Sequence, residues 1–104
     1  MKLSTAELPA ALAQVPQWQY QAERGGVIVR RFGFQDFAQA IGFMAQVALV
    51  AERSNHHPEW SNVYNRVDVL LTTHDVQGLS LRDIALAQAM DRVAAALARQ
   101  EHVA

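Results

Sequence analysis

In the segment FQDFAQAIGFMAQVAL, residues 34–49, the spacing of apolar residues changes from that of the sequence before it. Apolar residues recur in it at three- and four-residue steps, which places them on one face of a helix. Asp36 is expected in the first turn, where a carboxylate interacts favourably with the helix dipole. We therefore predict a long amphipathic helix that begins near Phe34.

The C-terminal end of this helix is predicted beside two adjacent histidines, His56 and His57. If helical geometry persists that far, Glu52 and His56 share a face because they are four residues apart. Pro58 biases His57 away from helical geometry and closes the element. The histidine pair is therefore expected where the helix gives way to a loop.

A shorter helix and a strand pair are predicted before the long helix. The first helix carries Leu8 and Leu12 on its apolar side and ends by Pro16. The elements expected here are a helix capped by Ser4 or Thr5, a strand over Trp18–Gln21, a turn at Arg24–Gly26 and a strand over Val27–Phe32.

A second strand pair and a last helix are predicted after the histidines. The strands are expected over Ser61–Tyr64 and Val67–Thr73, joined by Asn65-Arg66, with His74 at the end of the second strand. Alternation places Val67, Val69, Leu71 and Thr73 on one side and Asp68, Leu70, Thr72 and His74 on the other. The run Ser80-Leu81-Arg82-Asp83 resembles a capping box, and the helix after it has a stripe of Leu86, Met90, Val93 and Leu97.

The predicted order is α-β-β-α-β-β-α, which favours the α+β class with a four-stranded antiparallel sheet and helices packed on one face. Short connections predict pairing within each hairpin, whereas periodicity leaves open how the two hairpins meet. The length of 104 residues predicts one domain, over 1–104.

Composition excludes several classes of site and partner. The chain is 51% hydrophobic and 18% charged, with a formal net charge of -1, so it offers nucleic acid no net attraction. The absence of cysteine excludes disulfides, thiolate metal sites and a thiol nucleophile. Neither a signal-peptide core nor a membrane-spanning apolar run is visible, so we expect a cytoplasmic protein without membrane contact.

Three of the four histidines, His56, His57 and His74, fall within nineteen residues, and Asp83 follows them. Imidazole can give and accept a proton near neutral pH, so the cluster indicates a site that moves protons. A metal site built from Glu52, His56 and His74 is an alternative of suitable ligand type. A serine nucleophile is weaker, because the serines beside the histidines lack a glycine-flanked elbow.

The run ERSNHHPEWSNVYNRV, residues 52–67, followed by Thr73-His74 and by GLSLRD, residues 78–83, closely resembles the pterin-4a-carbinolamine dehydratase family. The fixed positions of its pattern are Glu52, His56, His57, Pro58, Tyr64, His74 and Asp83. The resemblance extends through FQDF, residues 34–37, and IGFM, residues 41–44, so it covers most of the chain. The first fifteen residues and the tail match weakly.

This resemblance implies an enzyme that removes water from 4a-hydroxytetrahydropterin to give quinonoid dihydropterin, which supports tetrahydropterin recycling for phenylalanine hydroxylase. It implies no metal or organic cofactor and a homodimer or homotetramer. Carried over by position, the active-site histidines are His56, His57 and His74, and the substrate-binding or supporting residues are Glu52, Pro58, Trp60, Thr73 and Asp83. Asn55 stands where some members carry Asp, a departure that bears on the pH optimum.

The chemistry requires an acid that protonates the departing hydroxyl and a base that takes the proton from the ring nitrogen. We assign these two roles to His56 and His74, without deciding which is which. His57 is then expected to hold the pterin, and Asp83 to fix a tautomer or a backbone position.

A rival hypothesis comes from a different class, because vertebrate members of the family also act as a dimerisation cofactor for a homeodomain transcription factor. On this interpretation the chain is chiefly a binding module, and exposed apolar helix surface is the feature to look for. The alanine-rich segment Ala85–Ala98 is an alternative surface for a homo-oligomer.

Overall fold

The computed structural model describes residues 1–100, and its elements follow the predicted order. The helices and strands are α1 (Leu8–Ala13), β1 (Gln19–Gln21), β2 (Val27–Gly33), α2 (Phe37–Ser54), β3 (Glu59–Val63), β4 (Arg66–Leu71) and α3 (Leu81–Gln100). The α+β class and the four-stranded antiparallel sheet are confirmed. Among the described residues, no helix combines the length and apolarity needed to cross a membrane.

The sheet has the strand order β1-β2-β4-β3, and all its neighbours are antiparallel. Both predicted hairpin pairings are present. The two hairpins meet at β2 and β4, where Ile28 lies opposite Leu71 and Gly33 lies opposite Arg66. This central pair answers the question that periodicity left open.

The core lies between one face of the sheet and the helices. Along β4, the predicted alternation puts Val67, Val69 and Leu71 inside. Opposite them, α2 contributes Phe43 and α3 contributes Met90, both fully buried. Burial of large apolar side chains on one face is what favours a two-layer arrangement over an isolated sheet.

The boundaries of α2 differ from the prediction at both ends. Asp36 lies outside the first turn as the N-cap, where its carboxylate accepts a 2.9 Å hydrogen bond from the backbone N–H of Gln39. The helix ends at Ser54 because Asn55 adopts a left-handed conformation with φ 50°. Helical geometry therefore does not persist to His56, and Glu52 and His56 do not share a helix face.

The strand boundaries also differ from the prediction. Trp18 precedes β1 and is buried in the core. Its indole N–H donates to Asp91 on α3 at 2.9 Å. The turn between β3 and β4 is one residue earlier than expected, because the left-handed position is Tyr64, at φ 52°. His74 does not end β4 but begins a short 3-10 helix, His74–Val76.

Candidate active site

His56 is turned into the protein by the left-handed residue that ends α2. Its backbone N–H donates to the carbonyl of Ala51 at 3.1 Å, and its side chain is only 8% exposed. Its Nε2 lies 2.6 Å from Oδ1 of the buried Asp83. The first histidine of the pair is therefore held in a fixed position.

Asp83 has no exposed surface and collects hydrogen bonds on both carboxylate oxygens. Besides His56, its donors are the Thr73 hydroxyl at 2.7 Å and the backbone N–H of Ser80 at 3.0 Å. The latter bond confirms the predicted capping box, with Asp in the usual place of Glu. Because a buried carboxylate is costly unless it is fully bonded, these three donors are what allow it to lie here.

The other ring nitrogen of His56, Nδ1, has no hydrogen-bond partner among the described residues. Within that same part of the chain, no fully buried side-chain nitrogen or oxygen lacks a partner. Nδ1 must therefore retain some solvent contact. With Nε2–H donating to the carboxylate, a neutral ring presents Nδ1 as an acceptor on the accessible side.

His57 points outward and pairs with Glu52, not with the residues around Asp83. Its Nε2 lies 2.9 Å from Oε1 of Glu52, and its side chain is 56% exposed. Glu52 thus contacts the second histidine, which follows it by five residues. The helical spacing of four residues does not apply, because the left-handed turn at Asn55 ends the helix before His56. Arg82 holds this turn by donating to the carbonyl of Asn55 at 2.6 Å.

His74 is 78% exposed and lies beside an ion pair that the sequence did not predict. Arg24 donates two hydrogen bonds to the Glu59 carboxylate, at 2.9 and 2.7 Å. Nε2 of His74 lies 3.5 Å from an Arg24 nitrogen and 3.6 Å from a Glu59 oxygen. Hydrogen bonding to Arg24 is the main cause that holds the pKa of Glu59 below its ordinary value.

Two depressions lie around these residues. One, of about 450 Å³, is lined by Thr73 and His74 together with Arg24 and the turn at Gly78. The larger one, of about 580 Å³, is lined by Glu59 and Trp60 but by none of the predicted histidines. We favour the first as the candidate site, because His74 lines it and because Thr73 in its wall is bonded to Asp83, the partner of His56. His56 and His57 are in the lining of neither depression.

The predicted residues form three bonded groups instead of one cluster. The first joins His56, Asp83 and Thr73, the second joins His57 to Glu52, and the third joins His74 to Glu59 and Arg24. Thr73 adjoins His74 in the chain and so connects the first group to the third. Half-buried Pro58 separates the histidine pair from β3, where Trp60 packs against the core.

The alternative metal site is not assembled by this arrangement. Its ligands Glu52, His56 and His74 belong to three different groups, and the described residues hold no cluster of three or more ligands suited to a metal ion. Sequence reasoning missed Arg24 and gave Glu59 no role. Arg24 is 35 positions from Glu59 and 50 from His74, so no local pattern could have indicated either contact.

Comparison with known proteins gives the same family from sequence and from structure. The family model described as Pterin 4 alpha carbinolamine dehydratase matches residues 1–93. A relative from Novosphingobium aromaticivorans, named for that dehydratase, is 58% identical over 90 residues, which cover 86% of this chain and 93% of the relative. A second, from Rhodopseudomonas palustris and named likewise, is 52% identical over 96 residues, which cover 92% of this chain and 94% of the relative.

Two solved structures share the fold. A crystal structure described as a transcriptional coactivator/pterin dehydratase from Brucella melitensis has a TM-score of 0.85 and 47% identity, covering 90% of this chain and 99% of that one. A pterin dehydratase-like protein described as a RuBisCO assembly factor in the alpha-carboxysome has a TM-score of 0.65 and 23% identity, covering 75% of this chain and 89% of that one. This second likeness shows the fold alone. The match over residues 1–93 and the identity of the relatives show that this chain belongs to the pterin-4-alpha-carbinolamine dehydratase family.

Proposed function

We propose that this chain catalyses the dehydration of 4a-hydroxytetrahydropterin to quinonoid dihydropterin and water. The observation that carries the proposal is the His56–Asp83 pair, because it fixes one imidazole with its second nitrogen on the accessible side. Such an arrangement suits a proton-transfer step, in addition to the hydrogen bond that His56 gives to the buried carboxylate. Family membership supports the same class of reaction.

The reaction breaks the bond between carbon 4a and its hydroxyl group. An acid donates a proton to the departing oxygen, which leaves as water, while a base removes the proton from the ring nitrogen whose lone pair forms the new double bond. We assign the base to Nδ1 of His56, whose Nε2–H is committed to Asp83. Exposed His74 is the acid, and His57, oriented by Glu52, holds the pterin.

The test is a stopped-flow ultraviolet assay of dehydration with the substrate generated in situ. We expect wild type to exceed the spontaneous rate, and His56→Ala and His74→Ala to lose about 10²–10⁴-fold each, the usual contribution of a positioned acid or base. His102→Ala is the matched control, because it removes the histidine outside the family motif. No acceleration by folded wild type would refute the dehydratase proposal.

We propose in addition that the chain supports tetrahydropterin recycling for phenylalanine hydroxylase and that it acts as a homo-oligomer in the cytoplasm. The support for an oligomer is a row of exposed apolar side chains on α2, namely Phe37, Ile41 and Leu49. Because they are four and eight residues apart, they form an inclined row that begins beside the buried face of α2 at Phe37 and reaches the opposite side at Leu49. In the alternative segment of α3, Ala87 and Ala89 are buried in the chain's own core, whereas Ala85, Ala95 and Ala98 are exposed and retain surface for such a contact.

The same α2 surface favours the second candidate function, a protein-binding module. The Brucella melitensis relative is described as a transcriptional coactivator as well as a pterin dehydratase. Sedimentation of wild type and Ile41→Glu would distinguish the uses of this surface. Dissociation of an oligomer by Ile41→Glu assigns the surface to self-association, whereas a monomeric wild type leaves it available to another protein.

A further inference from the structure

We infer that Arg24 and Glu59 form a positioning pair for His74, which offers a donor and an acceptor to the same ring nitrogen. Arg24 is a permanent hydrogen-bond donor, and ionised Glu59 is an acceptor only. Nε2 lies 3.5 Å from Nη2 of Arg24, the outer limit of a hydrogen bond, and 3.6 Å from Oε2 of Glu59, so a donor and an acceptor beside the same nitrogen favour one imidazole orientation in both protonation states. Neither residue has a role in the assignments made above.

The geometry of the pair is well defined. The guanidinium of Arg24 spans both carboxylate oxygens of Glu59, at 2.9 and 2.7 Å, which is the bidentate arrangement that fixes relative orientation. Each partner favours the charged form of the other, raising the pKa of Arg24 and lowering the pKa of Glu59. Both groups therefore stay ionised at neutral pH and present a fixed donor and acceptor.

The protonation state of His74 decides which partner it uses. A neutral ring with its proton on Nδ1 accepts at Nε2 from Arg24, over 3.5 Å. A protonated ring directs Nε2–H toward the Glu59 oxygen, at 3.6 Å. The Arg24 contact is at the limit of a hydrogen bond and the Glu59 contact is a charge interaction, so the ring exchanges partners without a change of rotamer.

The backbone holds Arg24 in place at some cost. Arg24 is left-handed, with φ 55°, a conformation that is unfavourable for residues other than glycine and is concentrated at functional sites. Next to it, Gly25 has φ 81°, and a Cβ there would lie 2.0 Å from the carbonyl oxygen of Gln77. The hairpin turn therefore packs directly against the loop that carries His74.

Stability does not account for this arrangement. An exposed ion pair contributes little to folding, with about 0–1 kcal/mol as the usual range. Arg31 and Asp68 form another such pair on the sheet, with an Arg31 Nε to Asp68 Oδ1 distance of 2.6 Å, and neither residue contacts a histidine. This second pair is a control of the same charge type at the protein surface, with Arg31 more exposed than Arg24.

The test reads the tautomer of His74 by ¹⁵N NMR, at a pH of about 8.5 where an ordinary imidazole is neutral. In wild type we expect the Nδ1–H tautomer, because Nε2 accepts from Arg24. In Arg24→Gln we expect a return to the Nε2–H form that free imidazole side chains prefer, while Arg31→Gln leaves the wild-type spectrum unchanged. The same His74 tautomer in wild type and Arg24→Gln would overturn the inference.

The kinetic consequence rests on the proposed function. Loss of orientation in Arg24→Gln should lower kcat about 10-fold with a smaller effect on KM, and Arg24→Lys should recover part of it. In a His74→Ala background, Arg24→Gln should cause no further loss, whereas an undiminished loss overturns the inference. If every variant lacks dehydratase activity but the tautomer changes as expected, the proposed function fails and the positioning role stands.

Discussion

Replacement of Asp83 by alanine is expected to cause a large loss of folding stability together with a loss of activity. The carboxylate is fully buried and accepts from His56 at 2.6 Å, from Thr73 at 2.7 Å and from the Ser80 backbone at 3.0 Å. Alanine leaves these donors without their common acceptor. The hydroxyls of Thr73 and Ser80 still bond to each other, at 2.7 Å, so part of the network survives.

The expected size follows from the partners. A hydrogen bond to a charged group contributes about 1.5–3 kcal/mol, and removing one partner of a buried pair costs about 3–5 kcal/mol. Because one of the three bonds is partly replaced, we expect Asp83→Ala to lower the free energy of unfolding by about 4 kcal/mol. A domain of this length is ordinarily stable by about 5–15 kcal/mol, so the variant should fold only marginally.

Urea denaturation followed by circular dichroism, at matched protein concentration, measures this loss. Asp68→Ala is the control, because its carboxylate is exposed and its pair with Arg31 is worth about 0.2–1 kcal/mol. The reasoning is refuted if the two variants differ by less than about 1 kcal/mol. In a double-mutant cycle with His56→Ala, effects that add within about 0.5 kcal/mol would show that the His56–Asp83 bond is not a coupled pair.

Three further predictions concern the backbone and the pH dependence. Gly25→Ala should lower the free energy of unfolding by about 2 kcal/mol or more, because its Cβ meets a carbonyl oxygen at 2.0 Å. Gly42→Ala, with nothing within 4 Å of its Cβ, should raise that free energy by about 0.5–1 kcal/mol. Urea titrations in which both substitutions change the free energy of unfolding in the same direction would contradict this. The pKa of Glu59 is lowered, first by its hydrogen bond to Arg24. The resulting contribution to stability is fully present above the unfolded pKa of 4.5 and is lost as the pH falls through the folded pKa. The Tm of Glu59→Gln should therefore depend less on acid pH than the Tm of wild type. Left-handed Asn55 should tolerate glycine within a few tenths of a kcal/mol but lose about 1 kcal/mol as alanine, as thermal melts would show.

The helices and strand pairs were predictable because their signal is local. Apolar period alone placed α2 and the inward side of β4, and Ser80 with Asp83 was recognisable as a capping box. The end of α2 was not predictable from the same period. Pro58 indicated a stop, but the left-handed conformation of Asn55 depends on the packing of the whole turn, and it is this conformation that turns His56 inward.

The composition of the site was predictable only in part for the same physical reason. His56, His57 and His74 could be singled out by residue type, yet their partners could not. The i to i+4 rule paired Glu52 with His56, whereas the chain had already left the helix and Glu52 meets His57. Arg24 carries no local signal at all, because its contacts depend on strand order.

The pairing of β2 with β4 has a consequence for how the protein folds. Each hairpin closes a short loop and can form early. The central pair must close the long loop that contains α2, His56 and His57, which is the entropically expensive event. Arg24 precedes β2, while Glu59 begins β3 and His74 follows β4, so the three meet only after that closure. Neither hairpin carries this group alone, so we expect its assembly to depend on the non-local step of folding.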